Sequence, residues 1–218
     1  MNKKIVIFDL DGTLIDSLKD LKEAVNFALK ELSFEIHPLS SYEKFIGNGV
    51  NKLLKRAMPK EFKDDENVFI ELKNIFLKYY DENLVVHTKP YDGIYDVLKY
   101  YKNRDIKLAV ASNKYHKATV KIVNTLFADF DFEFVFGQRD SVPTKPNPAV
   151  INEIITLSKV DKSEVLFIGD SLVDVETGNN ANVDVCAVTW GYEDREKLLS
   201  SNATFFAEEV GDLLKLIT

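Results

Sequence analysis

Two aspartates, Asp9 and Asp11, stand two residues apart directly after the apolar run 5–7, in the stretch FDLDGTLIDS over residues 8–17. Burying a carboxylate without a partner costs more than the packing of so short a strand can offset. The pair therefore implies a cation, or a reaction that needs both acids. Two more, Asp170 and Asp174, follow the apolar run 165–168 in GDSLVD, four residues apart and so on one side of an opening helix. Four carboxylates converging from two strand ends would repel and raise one another's pKa unless a cation sat among them. A donor set of oxygen alone points to magnesium, since zinc more often recruits His or Cys. His37, His87 and His116 show no metal-ligand spacing, which leaves them surface or capping roles.

Other residues are suited to an anion. Gly12 allows a tight turn with exposed amides just beyond the first acids. Ser112 and Asn113 end a second apolar run ahead of a helical pattern, where hydroxyl, amide and main-chain donors serve an anion at a helix start. Lys145, in Thr144-Lys145-Pro146, offers a fixed positive charge before another helix. Singly, each has a plainer explanation as turn, cap or solvated lysine. Their order, each at the C-terminal end of a strand or just before a helix, favours the ligand-binding edge of an open α/β sheet.

The elements that must hold these residues are legible in the hydropathy pattern. Strand-length apolar runs recur at 5–8, 108–111, 132–136, 165–168 and 185–188, and those after residue 100 alternate with helical patterns. Ala118, Ile122, Val123, Leu126 and Phe127, for example, fall on one helical face. This predicts a Rossmann-like parallel sheet in an α/β core. Between the first run and residue 88 the rhythm changes. Leu18, Leu21, Val25, Ala28, Leu29 and Leu32 make one helical stripe, and Phe69, Leu72, Phe76 and Tyr79 another, with no strand signal between. The reading is a core of residues 1–15 and 88–218, with residues 16–87 as an inserted all-helical domain that returns through a hinge at 87–93.

Composition narrows the partners. The chain has 218 residues, is 45% hydrophobic and carries a net charge of -7, so neither nucleic acid nor an anionic membrane is an expected partner. The single cysteine, Cys186, sits in an apolar stretch and reads as an inert buried thiol, which suits a reducing cytoplasm. No signal-peptide pattern and no run of about 18 apolar residues is expected to direct the chain elsewhere.

Taken in order, FDLDGTL, Ser112-Asn113, Lys145-Pro146 and GDSLVD resemble the four motifs of the haloacid dehalogenase superfamily, specifically its phosphatases with a small helical cap inserted after the first motif. The resemblance covers nearly the full length. It implies a sheet in which the first strand lies between those carrying the second and fourth motifs. It also implies a magnesium-dependent phosphatase in which Asp9 attacks phosphorus to form an aspartyl phosphate and Asp11 handles protons. Asp9, the Asp11 main-chain carbonyl and Asp170 would hold the metal, and Ser112, Asn113 and Lys145 the phosphoryl oxygens. Asp174 would either reach the metal through water or orient Lys145. The acid at residue 11 favours phosphoryl chemistry over carbon–halogen cleavage.

Gly191-Tyr192 after Trp190 resembles the phosphoglycolate phosphatase branch, which makes phosphoglycolate the leading small phosphate ester. Asn182 departs from the glycine that relatives commonly carry there. Within the insert, the GNGVNK stretch at 47–52 makes Asn48 and Lys52 candidates for substrate choice, while Asn48 as the cap of a helix at Val50 is an equal reading. A β-phosphoglucomutase-like phosphotransferase and a non-catalytic partner-binding protein on the same fold are the alternatives. The oligomeric state is monomer or homodimer.

Overall fold

The computed structural model describes residues 2–217. Six strands form one parallel sheet in the order β5-β4-β1-β6-β7-β8. They are β1 Ile5–Phe8, β4 Lys107–Tyr115, β5 Phe132–Gln138, β6 Val165–Gly169, β7 Asp184–Val188 and β8 Phe205–Ala207. All five apolar runs of the sequence are strands of this sheet. The sixth, β8, is a short edge strand whose three residues carry too little pattern to be seen. The central position of β1, between β4 and β6, is the order that the resemblance implies.

Every residue of β1 is fully buried, as expected for a parallel strand covered on both faces. Period-two alternation divides the core accordingly. Val6, Phe8, Leu108, Val110, Leu166 and Ile168 face one apolar layer, while Ile5, Ile7, Ala109, Ala111, Val165 and Phe167 face the other. Helices α5 (Ile94–Lys102) and α6 (His116–Leu126) contribute to the first layer, and α7 (Ala149–Ser158) to the second. Helix α8 (Leu172–Ala181) follows β6, and the short α9 (Arg195–Leu199) and α10 (Leu213–Leu216) close the chain. Helix α8 ends on Asn182 in the left-handed conformation, φ 57°. This position asks for glycine or asparagine and accounts for the departure noted in the sequence.

Four α-helices occupy the stretch between residues 16 and 88: α1 Leu18–Glu31, α2 Leu39–Tyr42, α3 Val50–Ala57 and α4 Glu66–Glu82. Both stripes pack into the core, the first along α1 and the second along α4, with only Leu32 and Tyr79 partly buried and Phe27 stacked on Tyr79 at 4.3 Å. These helices share one continuous apolar cluster with the first layer of the sheet. Where the chain leaves and re-enters, β2 (Ile15–Asp16) and β3 (Lys89–Pro90) pair as a two-stranded antiparallel ribbon that the sequence did not announce.

Asp20 reinforces that junction. Its buried carboxylate accepts from the main-chain amides of Val86, His87 and Thr88 at 2.8–3.0 Å and from the Thr88 hydroxyl at 2.7 Å. It lies near Glu23 and His87, but its oxygens are engaged by these donors. Hydrogen bonds to a charged acceptor contribute roughly 1.5–3 kcal/mol, and orphaned buried donors cost as much again. Asp20→Ala is therefore expected to destabilise the protein by at least about 3 kcal/mol in urea unfolding. A loss below about 1 kcal/mol would show that the junction is held by other contacts.

Candidate active site

Register brings the singled-out residues together. Phe8 pairs with Val110 on one side and Ile168 on the other, so Asp9, Ser112 and Asp170 all lie just beyond the paired ends of three neighbouring strands. The Asp9 amide donates to the Ile168 carbonyl at 2.8 Å, which continues the ladder by one residue and fixes the first acid beside the fourth motif. Asp9, Asp170 and Asp174 offer carboxylate oxygens that all lie within 4.8 Å of one another, and all three residues are buried.

Lys145 is the internal counter-charge. Its ammonium donates to Asp174 Oδ1 at 2.6 Å and lies 2.9 Å from Asp9 Oδ1. The second contact is an ion pair without hydrogen-bond geometry, so that Asp9 oxygen is buried with no hydrogen-bond partner. Burial acts to lower the Lys145 pKa, yet Asp174 and Asp9 together outweigh it and hold the ammonium above the usual lysine range. Burial pushes the Asp9 carboxyl up to about 6, opposed by Lys145 and reinforced by the charge of Asp174. Asp170 is raised well above the usual carboxylate range, by burial first and then by Asp174 and Asp9.

One buried lysine thus faces three buried acids. A divalent cation fits this donor set, because three buried carboxylates outnumber the one lysine and the raised carboxyls would return toward their ordinary values beside it.

Asp170 is cradled closely. Its oxygens accept from the Thr13 hydroxyl at 3.1 Å and the Tyr192 amide at 2.9 Å. A Cβ placed on Gly12 or on Gly191 would come within 2.2–2.3 Å of its carboxylate, so both positions require glycine. Asp174 sits in the first turn of α8, where Oδ2 accepts from the Ser171 amide at 3.2 Å in a capping box. Its Oδ1 is engaged by Lys145. Asp170 itself precedes the helix, so the two acids do not share a helical face.

Other expectations need correction. Ser112 and Asn113 do not stand at a helix start: β4 continues through them to Tyr115, with an irregular register against β5 between Ala111 and Tyr115. The Asn113 side chain is occupied, accepting from the Lys145 amide at 2.9 Å and donating to its carbonyl at 3.1 Å. Asn48 is not a cap. The N-cap of α3 is Gly49, at φ 81°, and Asn48 Oδ1 instead accepts from Arg56 at 2.6 Å. Lys52 is exposed and lines neither pocket at the site.

Two connected spaces meet at Asp9 and Asp11. The outer cleft, about 620 Å³, is bordered by Asn48, Arg56, Asp170, Ser171 and Tyr192 among others. The inner pocket, about 40 Å³, lies beneath the helical insert and reaches Tyr80, Ser112, Asn113 and Lys114. Asp11 is held between two groups that the sequence reading passed over. Lys114 Nζ donates to both of its oxygens at 3.0 Å, and the Ser17 hydroxyl donates to Oδ1 at 2.5 Å. Lys114 directly follows Asn113 and was detectable as a charge in a buried strand. Tyr192 and Thr13 have no sequence signal beyond their motifs.

Known proteins show the same arrangement of chain. The family model for haloacid dehalogenase-like hydrolases matches residues 6–188. The chain is 35% identical over 214 residues to phosphoglycolate phosphatase from Aquifex aeolicus, covering 98% of this chain and 96% of that protein. It is 30% identical to phosphoglycolate phosphatase from Mesorhizobium japonicum, over 89% of this chain and 86% of that one. The crystal structure of a predicted phosphoglycolate phosphatase from Haemophilus somnus superimposes with a TM-score of 0.92 at 29% identity, covering 99% and 98% of the two chains. Among the described residues no helix is long and apolar enough to cross a membrane.

Removing one member of a buried ion pair strands the other's charge, at a cost of about 3–5 kcal/mol. Lys145→Met is expected to lose stability on that scale in urea unfolding with chelator at about pH 7.5. A carboxyl whose folded pKa is raised binds its proton more readily folded than unfolded. Lys145 holds the Asp9 carboxyl down to about 6 and its loss raises that carboxyl further, so lowering the pH from about 7.5 toward about 6 relieves the repulsion and should narrow the deficit. A deficit that widens toward about pH 5 would overturn this charge balance.

Proposed function

Because the chain belongs to the haloacid dehalogenase-like hydrolases and is a phosphatase, we propose that it hydrolyses a small phosphorylated metabolite, phosphoglycolate first among them, through transfer of the phosphoryl group to Asp9 and then to water. The observation that carries this reading is the buried set Asp9, Lys145, Asp174 and Asp170 beyond the end of β1, with Asp11 beside Asp9 in the lining of both spaces. The relatives' activity supports the choice of ester.

In the first step an Asp9 carboxylate oxygen bonds to phosphorus as the bond to the leaving alcohol breaks, and Asp11 gives its proton to the departing oxygen. In the second, Asp11 takes a proton from water, whose oxygen bonds to phosphorus as the bond to Asp9 breaks and phosphate leaves. The Ser112 hydroxyl and the Lys145 ammonium would hold the phosphoryl oxygens. Asn113 would contribute its main-chain amide, because its side chain is committed to placing Lys145. Asp174 would orient Lys145, both of its oxygens being engaged. Magnesium held by Asp9, Asp170 and the Asp11 main-chain carbonyl would neutralise the charge on the phosphoryl oxygens.

Residues 16–87 would act as a cap that excludes water, with Asn48 braced by Arg56 at the cleft mouth. A cytoplasmic setting suits the buried Cys186, whose thiol burial pushes up to about 12.

Two experiments test the reading. With magnesium at about a hundred times its Kd, the folded protein should gain about 2.7 kcal/mol, seen as a higher thermal midpoint. Asp170→Ala should abolish that gain, and a gain that persists would displace the metal from Asp170. Asp11→Asn keeps the nucleophile but loses proton transfer, worth roughly 10²–10⁴-fold. On an aryl phosphate, whose leaving group hardly needs the proton, rapid mixing should show a burst of phenol up to about one equivalent before slow turnover. Equal losses on aryl and alkyl esters, without a burst, would remove the acid–base role from Asp11.

A further inference from the structure

The inner pocket contains one polar group that neither the fold nor the proposed reaction uses. Tyr80, on α4, is fully buried and lines the pocket together with Asp9, Asp11 and Lys114, yet its hydroxyl has no hydrogen-bond partner. Its ring is well fixed, 5.3 Å from Phe76 in a stacked pair and 6.4 Å edge-on from Tyr115. Lys114 Nζ lies over the same ring at 4.9 Å while paired with Asp11. For packing alone, phenylalanine would serve better, because an orphaned buried hydroxyl costs about 1–3 kcal/mol. Such a group is best explained by a partner that arrives with a ligand.

The pocket restricts what that partner is. Its volume of about 40 Å³ is only a few times the roughly 10–15 Å³ that a single water needs. Leu21, Ile46, Val50 and Leu53 make most of the remaining wall apolar. Only a group of a few heavy atoms fits beside Asp11, the proposed proton donor to the leaving oxygen. Tyr80 remains a protonated donor, since burial and then the nearby charges of Asp11 and Asp20 hold its pKa well above the ordinary tyrosine value. The complement to a hydroxyl donor next to an ammonium is a small group that only accepts, and a carboxylate is that group.

We propose that Tyr80 is a specificity-determining residue whose hydroxyl donates to the carboxylate of a short phosphorylated acid, with the Lys114 ammonium as the neighbouring positive charge. This rests on the phosphatase reading and assigns the leaving-group end of the substrate to the inner pocket, away from the outer cleft. Tyr80 then selects by hydrogen bonding what the apolar walls select by size.

The test is steady-state kinetics of wild type and Tyr80→Phe with magnesium on two esters of similar size, 2-phosphoglycolate and ethyl phosphate, together with thermal midpoints of the unliganded proteins. In Tyr80→Phe, kcat/KM for 2-phosphoglycolate should fall about tenfold or more beyond any fall for ethyl phosphate, the scale of one charge-assisted hydrogen bond, with most of it in KM. The midpoint should not drop, because the fold gives the hydroxyl no partner. Equal losses on both esters, no loss on either, or a midpoint lowered by several degrees would each overturn the role of Tyr80. A wild-type protein that hydrolyses neither ester would overturn the phosphatase reading, and this inference with it.

Discussion

A buried ammonium shared between two buried carboxylates, Lys145 between Asp9 and Asp174, is the constraint on which the rest of the structure depends. Lys145 donates to Asp174 and lies 2.9 Å from Asp9. Without the lysine, three acids would face one another in a region closed to water, where uncompensated charge is expensive. With it, two negative charges are still left over when all three are ionised, and the structure relieves this by raising the carboxyls of Asp9 and Asp170. Folding thus leaves the site short of positive charge, which is the state in which a cation and a phosphate ester can both be accommodated.

The surrounding elements are arranged to keep that lysine in place. Asn113, from β4, grips the Lys145 backbone through its amide and carbonyl. Ser171, at the start of α8, fixes the far oxygen of Asp174. The ladder bond from the Asp9 amide to Ile168 fixes the near acid. Three strands and the start of α8 therefore converge on one ammonium, and apart from the Ser171–Asp174 capping box these contacts join residues distant in the chain. The same logic extends to Asp11, which Lys114 and Ser17 hold from opposite parts of the chain. The helical segment joins this system through the β2–β3 ribbon, through the amides gathered on Asp20, and through Tyr80 against Lys114.

A consequence for specificity follows from where the helical segment meets the site. Its loop at 47–49 and its helices α3 and α4 form the roof of the inner pocket, while the sheet provides the acids and the lysines. On the proposed reading, chemistry and selection are carried by different parts of the chain that meet at the pocket.

The sequence by itself determined the sheet, the helical insertion and the location of the acids. Buried parallel strands are continuous apolar runs, and the residue that ends each run at the ligand edge is recognisable as polar where an apolar one is expected. Asp9, Asp11 and Asp170 were legible for that reason, Lys145 from its place before a helix, and the stripes of α1 and α4 from their helical period. Only the tertiary structure decided how each polar group is used. Asn113 proved to hold a backbone, Asn48 to be braced by Arg56 instead of capping α3, and Lys52 to be exposed outside both pockets. Lys114, Tyr192 and the unpartnered Tyr80 emerged only with the fold. Hydropathy and motif spacing record which residues enter the core, since burial leaves its period in the local sequence. Hydrogen bonds and ion pairs join residues up to 160 or more positions apart, as between Thr13 or Tyr192 and their partners, and local sequence holds no trace of such a pairing.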